Sequence, residues 1–292
     1  YDNFRNKSKL RRHTLNDQGQ WQFILDITPF YAESGGQIGD HGTLEQSGKS
    51  EGDKKIWNVV DVQKQGDSII HFCEAVSPGK GNDAPDDSPM TATVDEKLRL
   101  STTNNHTSAH LMHEALRQVL GEHVTQAGSL VNPDILRFDF THFEKVSVEQ
   151  LEEIENIVNS VIRDNIPTDI FETPFQEAID SGITALFGEK YGDVVRVVKI
   201  SDFSEELCGG CHVKATGQIG QFRALSDEAL ASGVRPIGPV TGRKAELLTQ
   251  ELLRVSPSLP QLINFPAAQV PDLVATLAEE KRHLHTDRLS LR

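Results

Sequence analysis

Two short motifs about a hundred residues apart, His106-Thr-Ser-Ala-His110 and Cys208-Gly-Gly-Cys211-His212, constrain this chain more than anything else in it. On a helix, residues four apart stand one above the other on the same face, so His106 and His110 can chelate one ion. Zinc takes neutral imidazole and thiolate, usually in a tetrahedral shell. An H-x-x-x-H pair alone is a weak signal. The second motif strengthens it by packing two thiols and an imidazole into five residues, with glycines that let the backbone turn tightly around an ion. Spacing leaves its ligands open. Cys208 with His212 repeats the spacing of the first motif, whereas Cys208 with Cys211 makes a C-x2-C clamp. His113 lies on the helix face of His110 and reads as a pocket-wall group. No carboxylate stands beside these residues as the Glu of H-E-x-x-H does, so no protein general base is expected.

A chain of 292 residues is long enough for two domains. Its three cysteines, at 73, 208 and 211, cannot form a disulfide framework and fit a reducing, cytoplasmic setting. A net charge of −14 argues against coating long nucleic acid, yet permits taking only the tip of one into a local pocket. No apolar run approaches the roughly 20 residues that span a bilayer, and the basic N-terminus lacks the apolar core of a secretory signal. The start at Tyr1 rather than Met raises the expectation of a piece of a longer protein.

Residues 20–95 read as β structure, with strands at Trp21–Ile27, Ile56–Val62 and Ser68–Phe72 between Gly-rich turns. Glu45–Lys55 and Ser77–Pro89 read as loops. From Asp95 the pattern changes. Asn104–Leu120 and Val148–Ile166 are helical by periodicity, the second stopped by Pro167. Ile135–Phe140, Val194–Ile200 and Ile219–Leu225 read as strands. The stretch from Lys244 is helical again, and Val270–Arg292 is a candidate element for self-association. The boundaries expected are 1–94 for a β-barrel-like domain with an N-terminal linker, 95–243 for a zinc-binding domain and 244–292 for a helical segment.

Four separated segments resemble the editing region of alanyl-tRNA synthetases and their free-standing relatives, the AlaX proteins: Thr28–Gly39 (TPFYAESGGQIG), Asn105–Phe140, Ala185–Val197 (ALFGEKYGDVVRV) and Cys208–Gly220 (CGGCHVKATGQIG). The histidine and cysteine signature is shared with threonyl-tRNA synthetase editing domains. The resemblance covers residues 20–245. It implies an α+β fold, in which a small β-barrel-like domain precedes an α/β two-layer sandwich of the editing type, with a helical C-terminal tail. It implies Zn2+ held by His106, His110, Cys208 and His212. The implied reaction is hydrolysis of serine or glycine wrongly esterified to alanine tRNA, with the acceptor end of that tRNA as partner.

By the same resemblance Gln37 and the weaker Thr28 are the catalytic candidates. Gly35, Gly36 and His113 are the substrate-binding ones, and the two glycines also suit a tight bend. The basic residues Lys190, Arg196, Lys199, Lys214, Arg223, Arg235 and Arg243 are candidate phosphate contacts. Two departures stand out. Cys211 replaces the family's usual threonine. Val234–Gly242 (VRPIGPVTG) carries Pro236, Gly238 and Pro239 where the family reads close to VRRIEAVTG, so this segment is expected to lose its strand pairing. A free-standing deacylase, an RNA-binding module with a structural zinc and a redox or metal-storage role for Cys208 and Cys211 are the competing readings. The paired histidines weigh against the last.

Overall fold

The computed structural model describes residues 3–47, 54–76, 84–185, 191–225, 234–255 and 276. The fold is mixed α/β, with a curled antiparallel half-barrel sheet and few helices. No described helix is long and apolar enough to cross a membrane. Two compact units are distinguished, residues 1–242 and 243–292.

Seven strands form the half-barrel: β1 (Arg5–Ser8), β2 (Leu10–Leu15), β3 (Trp21–Leu25), β4 (Gly42–Ser47), β5 (Lys54–Gln65), β6 (Ser68–Ala75) and β7 (Met90–Val94). Their order across the sheet is β1-β7-β4-β5-β6-β3-β2. The first two strands therefore sit on opposite edges although a single residue, Lys9, separates them. Consecutive Cα atoms are about 3.8 Å apart, so the two edges meet at this corner and the sheet has to curl. Asp26 N–H donates to the Lys9 carbonyl there at 3.0 Å, and Ser8 Oγ to the Ile27 carbonyl at 2.7 Å. Alternate residues point inward and build an apolar core of Phe23, Leu44, Trp57, Val59, Val62 and Met90.

The expected N-terminal linker is thus corrected: Arg5–Leu15 forms two strands. They escaped notice because RNKS and LRRHTL show almost no apolar alternation, as suits edge strands with exposed faces. The Glu45–Lys55 loop is shorter than expected, since β4 runs to Ser47 and β5 starts at Lys54; residues 48–53 and 77–83 lie outside the described set.

Asp95 caps the long helix α1 (Glu96–Leu120), its side chain accepting from Leu98 N–H. The helix starts two turns before the expected Asn104, because the poor helix formers Thr102, Thr103 and Asn104 mask the pattern. It runs through the core of the second half, burying Leu111, Met112, Ala115 and Leu116 among Phe138, Phe140, Ile154 and Val158. Strands β8 (Gln126–Val131) and β9 (Leu136–Thr141) precede α2 (Val148–Arg163), which opens on a Ser147/Gln150 capping box. Next come β10 (Asp169–Pro174), the short α3 (Phe175–Asp180), β11 (Val194–Ile200) and β12 (Ser204–Leu207), with β10-β11-β12 forming one antiparallel sheet.

Residues expected as a strand over Ile219–Leu225 instead open in a 3-10 turn, Thr216–Ile219, and only β13 (Phe222–Arg223) is extended; Gly220, at φ 77°, breaks the run. The VRPI segment is also corrected. It forms β14 (Val234–Ile237), fully paired with β9 from Val234↔Thr141 to Ile237↔Phe138. Its sheet order, β14-β9-β8, puts Pro236 on an edge strand, where a missing N–H leaves no neighbour unpaired. Strand β15 (Val240–Thr241) pairs with β13. In the second unit α4 (Gly242–Val255) is helical; Val270–Arg292, expected to self-associate, lies outside the described residues apart from Thr276.

Candidate metal centre

The segment Thr28–Asp40 connects the half-barrel to the rest of its unit. Glu33 N–H bonds Val62 on β5, while Ile38 N–H and the Gly36 carbonyl pair with Val131 on β8. Asp40 accepts from Arg99 Nε on α1 at 2.8 Å and also bonds Arg99 Nη2, a buried ion pair with two parallel hydrogen bonds. Between these anchors, Ser34 and Gln37 exchange backbone hydrogen bonds around Gly35 (φ 56°) and Gly36 (φ 82°). Two positive φ values in succession define a primed turn that favours glycine. Gly36 is required twice over, because a Cβ there would lie 2.4 Å from Ser129 Oγ.

That turn delivers Gln37, wholly buried, to the first metal motif. Its Oε1 accepts from Cys211 N–H at 2.9 Å, which fixes the amide orientation, and lies 2.7 Å from His106 Nδ1. An oxygen already used as an acceptor obliges His106 Nδ1 to carry the proton, leaving Nε2 as a bare donor. Of the other two histidines, only His212 has a hydrogen-bonding partner of the same kind. His212 Nδ1 lies 3.2 Å from Thr107 Oγ1, itself bonded by Val213 N–H, and His110 Nδ1 lies 3.5 Å from Glu206 Oε2, an ion-pair distance without hydrogen-bond geometry. Such outer partners orient metal-binding imidazoles.

Inside this ring the donor atoms of His106, His110, Cys208 and His212 all lie within 4.8 Å of one another. Cys208 Sγ is 3.4 Å from His106 Nε2 and 3.3 Å from His212 Nε2. Tetrahedral zinc with ordinary bond lengths spaces S and N ligands by about 3.5 Å, so three imidazoles and one thiol fit that ion. The turn carrying Cys208 is pinned by Arg196, whose Nη1 donates to the carbonyls of Cys208 and Gly210. It approaches α1 so closely that a Cβ on Gly210 would fall 2.0 Å from His106 Cε1.

Electrostatics follow from packing these groups out of water. Burial opposes ionisation of Cys208, but His106, His212 and His110 outweigh it and hold the thiol well below its ordinary value. Burial also opposes charge on His110, yet Glu206 and then Cys208 raise it to about 9. Burial pushes His212 down to about 3. For Glu206 burial is overcome by His110 and His113, which keep its carboxyl below the usual range.

Cys211 stands apart from the four. It offers its backbone N–H, while burial pushes its thiol up to about 11. His113 is not beside the donors either: its Nδ1 lies 3.1 Å from Glu206 Oε1 and its ring packs on Phe138. Thr28 is placed elsewhere, its hydroxyl 2.7 Å from His71 Nε2 in the half-barrel. Glu206 is the residue that sequence reading missed, and it corrects the expectation of no neighbouring carboxylate. Strand alternation held the signal, since Glu206 lies two residues before Cys208 and so faces the same way. A cavity of about 90 Å³ opens onto the centre, lined by His106, His110, Cys208, Glu206, Gly35 and, unforeseen, Tyr31, Ser129 and Tyr191. Residues 186–190, including Lys190, lie outside the described set.

Comparison with known proteins gives two family matches. Residues 195–237 match the Threonyl and Alanyl tRNA synthetase second additional domain, and residues 4–86 match the tRNA synthetases class II (A). The chain is 51% identical over 222 residues to an alanine–tRNA ligase of Caldicellulosiruptor saccharolyticus, covering 76% of this chain and 24% of that protein. It is 46% identical to the enzyme of Geobacillus kaustophilus, covering 92% and 29%, and 45% identical to that of Cytophaga hutchinsonii, covering 93% and 30%. The chain therefore spans less than a third of the length of these relatives.

Proposed function

The chain belongs to the alanine–tRNA ligase family, and on that premise we propose that it hydrolyses the ester linking a wrong amino acid, serine or glycine, to the end of alanine tRNA. The observation that carries this reading is the convergence of His106, His110, Cys208 and His212 on one point at the wall of an open pocket. Access for a substrate supports this reading over a structural zinc, since the cavity is lined by His106, His110 and Cys208.

His106, His110, Cys208 and His212 would hold a zinc ion, which would supply a Lewis acid for the ester carbonyl or for a water. The side chains do the rest. Gln37 and Thr107 aim two of the imidazoles through hydrogen bonds, and Glu206 faces the third at ion-pair distance. Water enters beside Glu206, whose carboxylate takes one proton as the water oxygen bonds the ester carbon; the ribose oxygen leaves with a proton in return. Gln37 is a positioning residue through Oε1. Its Nε2 is buried without a partner among the described residues, but Gln37 is not part of the cavity lining, whose Ser34 and Ser129 hydroxyls are the groups that can meet a serine hydroxyl. A site that hydrogen-bonds that hydroxyl discriminates strongly against alanine, which leaves those groups bare.

The test incubates Ser-tRNA(Ala) and Ala-tRNA(Ala) with the protein and with a Cys208→Ala/His212→Ala variant. Loss of serine from tRNA with the wild type alone is expected; equal background rates for both proteins would defeat the reading.

A further inference from the structure

Among the described residues, the half-barrel carries a row of five exposed cations within eight positions, Arg5 to Arg12, and the centre described above makes no use of it. Arg5, Lys7, Lys9, Arg11 and Arg12 are all exposed along β1 and β2, in a chain of net charge −14. From Asn3 to Leu25 the sole acidic residue is Asp17. Among the described residues, none forms an ion pair with Arg5, Lys7, Lys9 or Arg12, and Arg11 acts only at a distance on the Asp26 carboxyl. Five of the seven cations expected from sequence to meet phosphate are, by contrast, engaged within the protein. Arg196 holds the Cys208 turn, Lys199 pairs with Glu205, Arg223 with Glu155 and Arg243 with Glu246, and Arg235 donates to the Phe143 carbonyl.

Geometry joins the five charges into one ribbon. β1 and β2 lie on opposite edges but meet at Lys9, so the row crosses the seam of the curled sheet without interruption. A register shift between Leu10 and Arg12 places a bulge at Arg11, and bulges re-aim side chains. Edge-strand charge also deters strand pairing, a need that one or two lysines meet on each edge. The ribbon also lies near the pocket. Ser8 Oγ bonds the Ile27 carbonyl, and four residues later Tyr31 lines the cavity. Chain reach limits the distance from the ribbon's corner to the pocket wall to about 20 Å.

We infer that the Arg5–Arg12 ribbon is the docking surface for the phosphate backbone of the RNA duplex whose 3′ end enters the pocket. This rests on the proposed function for the identity of the RNA. Two or three phosphates neutralised there release their counterions and make binding salt-dependent, with a contribution of about 0.9 per contact to the logarithmic slope.

The test compares the full chain with an Arg5→Gln/Lys7→Gln/Lys9→Gln/Arg11→Gln/Arg12→Gln variant and with one that exchanges Arg and Lys at the same positions. Binding of unacylated alanine tRNA is measured by fluorescence anisotropy across a salt series. The neutral variant is expected to bind at least about 30-fold more weakly at 0.15 M salt, with a slope smaller by about 2 to 3. The exchanged variant should bind like the wild type. Hydrolysis of seryl-adenosine, which has no duplex, should be unchanged in both. Equal affinity and slope for the wild-type and neutral proteins overturn the inference, as does charge-dependent capture by phosphatidylglycerol vesicles in place of tRNA. Ribbon-dependent tRNA binding without hydrolysis of any ester upholds the ribbon and defeats only the editing reading.

Discussion

His71 in the half-barrel and His110 in the metal centre are both almost completely buried, yet their proton affinities move in opposite directions. Burial drives His71 down to about 4, because its neighbours, the Phe23 carbonyl and the Thr28 hydroxyl, are neutral. At His110 burial is outweighed by Glu206 and Cys208, and the group rises to about 9. The comparison separates two uses of a core. In the half-barrel a polar ring is kept neutral and serves packing, whereas in the centre the fold confines opposite charges that a divalent ion can use.

The sharpest way to break this contrast is to remove a donor. Cys208→Ala is expected to abolish stoichiometric zinc, read by metal analysis, and to bring deacylation to background, while the half-barrel keeps its near-ultraviolet dichroism. Gly210→Ala comes next, since the added methyl meets His106; we expect lost zinc and a destabilisation of several kcal/mol by urea titration. Replacing the partner rather than the ligand is milder. Glu206→Gln should weaken zinc binding about 10–100-fold in a chelator competition, and unchanged affinity would deprive Glu206 of its orienting role.

Linkage gives the two histidines opposite signs. A folded value of about 4 against 6.5 unfolded means that the unfolded chain binds more protons at His71. Its contribution is complete above pH 6.5 and is lost as pH falls to 4, by about 3 kcal/mol. His71→Gln should flatten that part of the stability profile. His110, raised, contributes stability in metal-free protein that is present below pH 6.5 and lost as pH rises through about 9; zinc, which needs the neutral ring, reverses that preference. The smallest effect belongs to Cys211→Thr. Because Cys211 lies outside the donor cluster, zinc content should not change, with a stability loss below about 1.5 kcal/mol.

Legibility in the sequence followed the same division. Elements that bury one regular face were readable: α2 through its apolar stripe and β11 through its run of valines. The spacing of HTSAH and CGGCH marked a candidate metal site but left His212 and Cys211 as rival partners of Cys208; the resemblance chose between them, and neither pointed to the residues that aim the donors. Thr107 matters through a contact across the fold, and nothing local in the sequence distinguishes it from a surface polar residue; the one local sign of Glu206 is its place two residues before Cys208. β1 and β2 were hidden because an edge strand rich in arginine buries little, and Pro236 misled because its cost depends on sheet position.

One oxygen atom, Oε1 of Gln37, is shared between a loop stapled to the half-barrel and both halves of the metal centre. Cutting the polypeptide at residue 94 would therefore be a poor way to isolate a minimal zinc protein. The excised portion would keep all four donors, yet His106 would be free to switch tautomer and the Cys211 amide would be stranded without an acceptor. Protein engineers seeking a transplantable catalytic module should carry the SGGQ hairpin along with it.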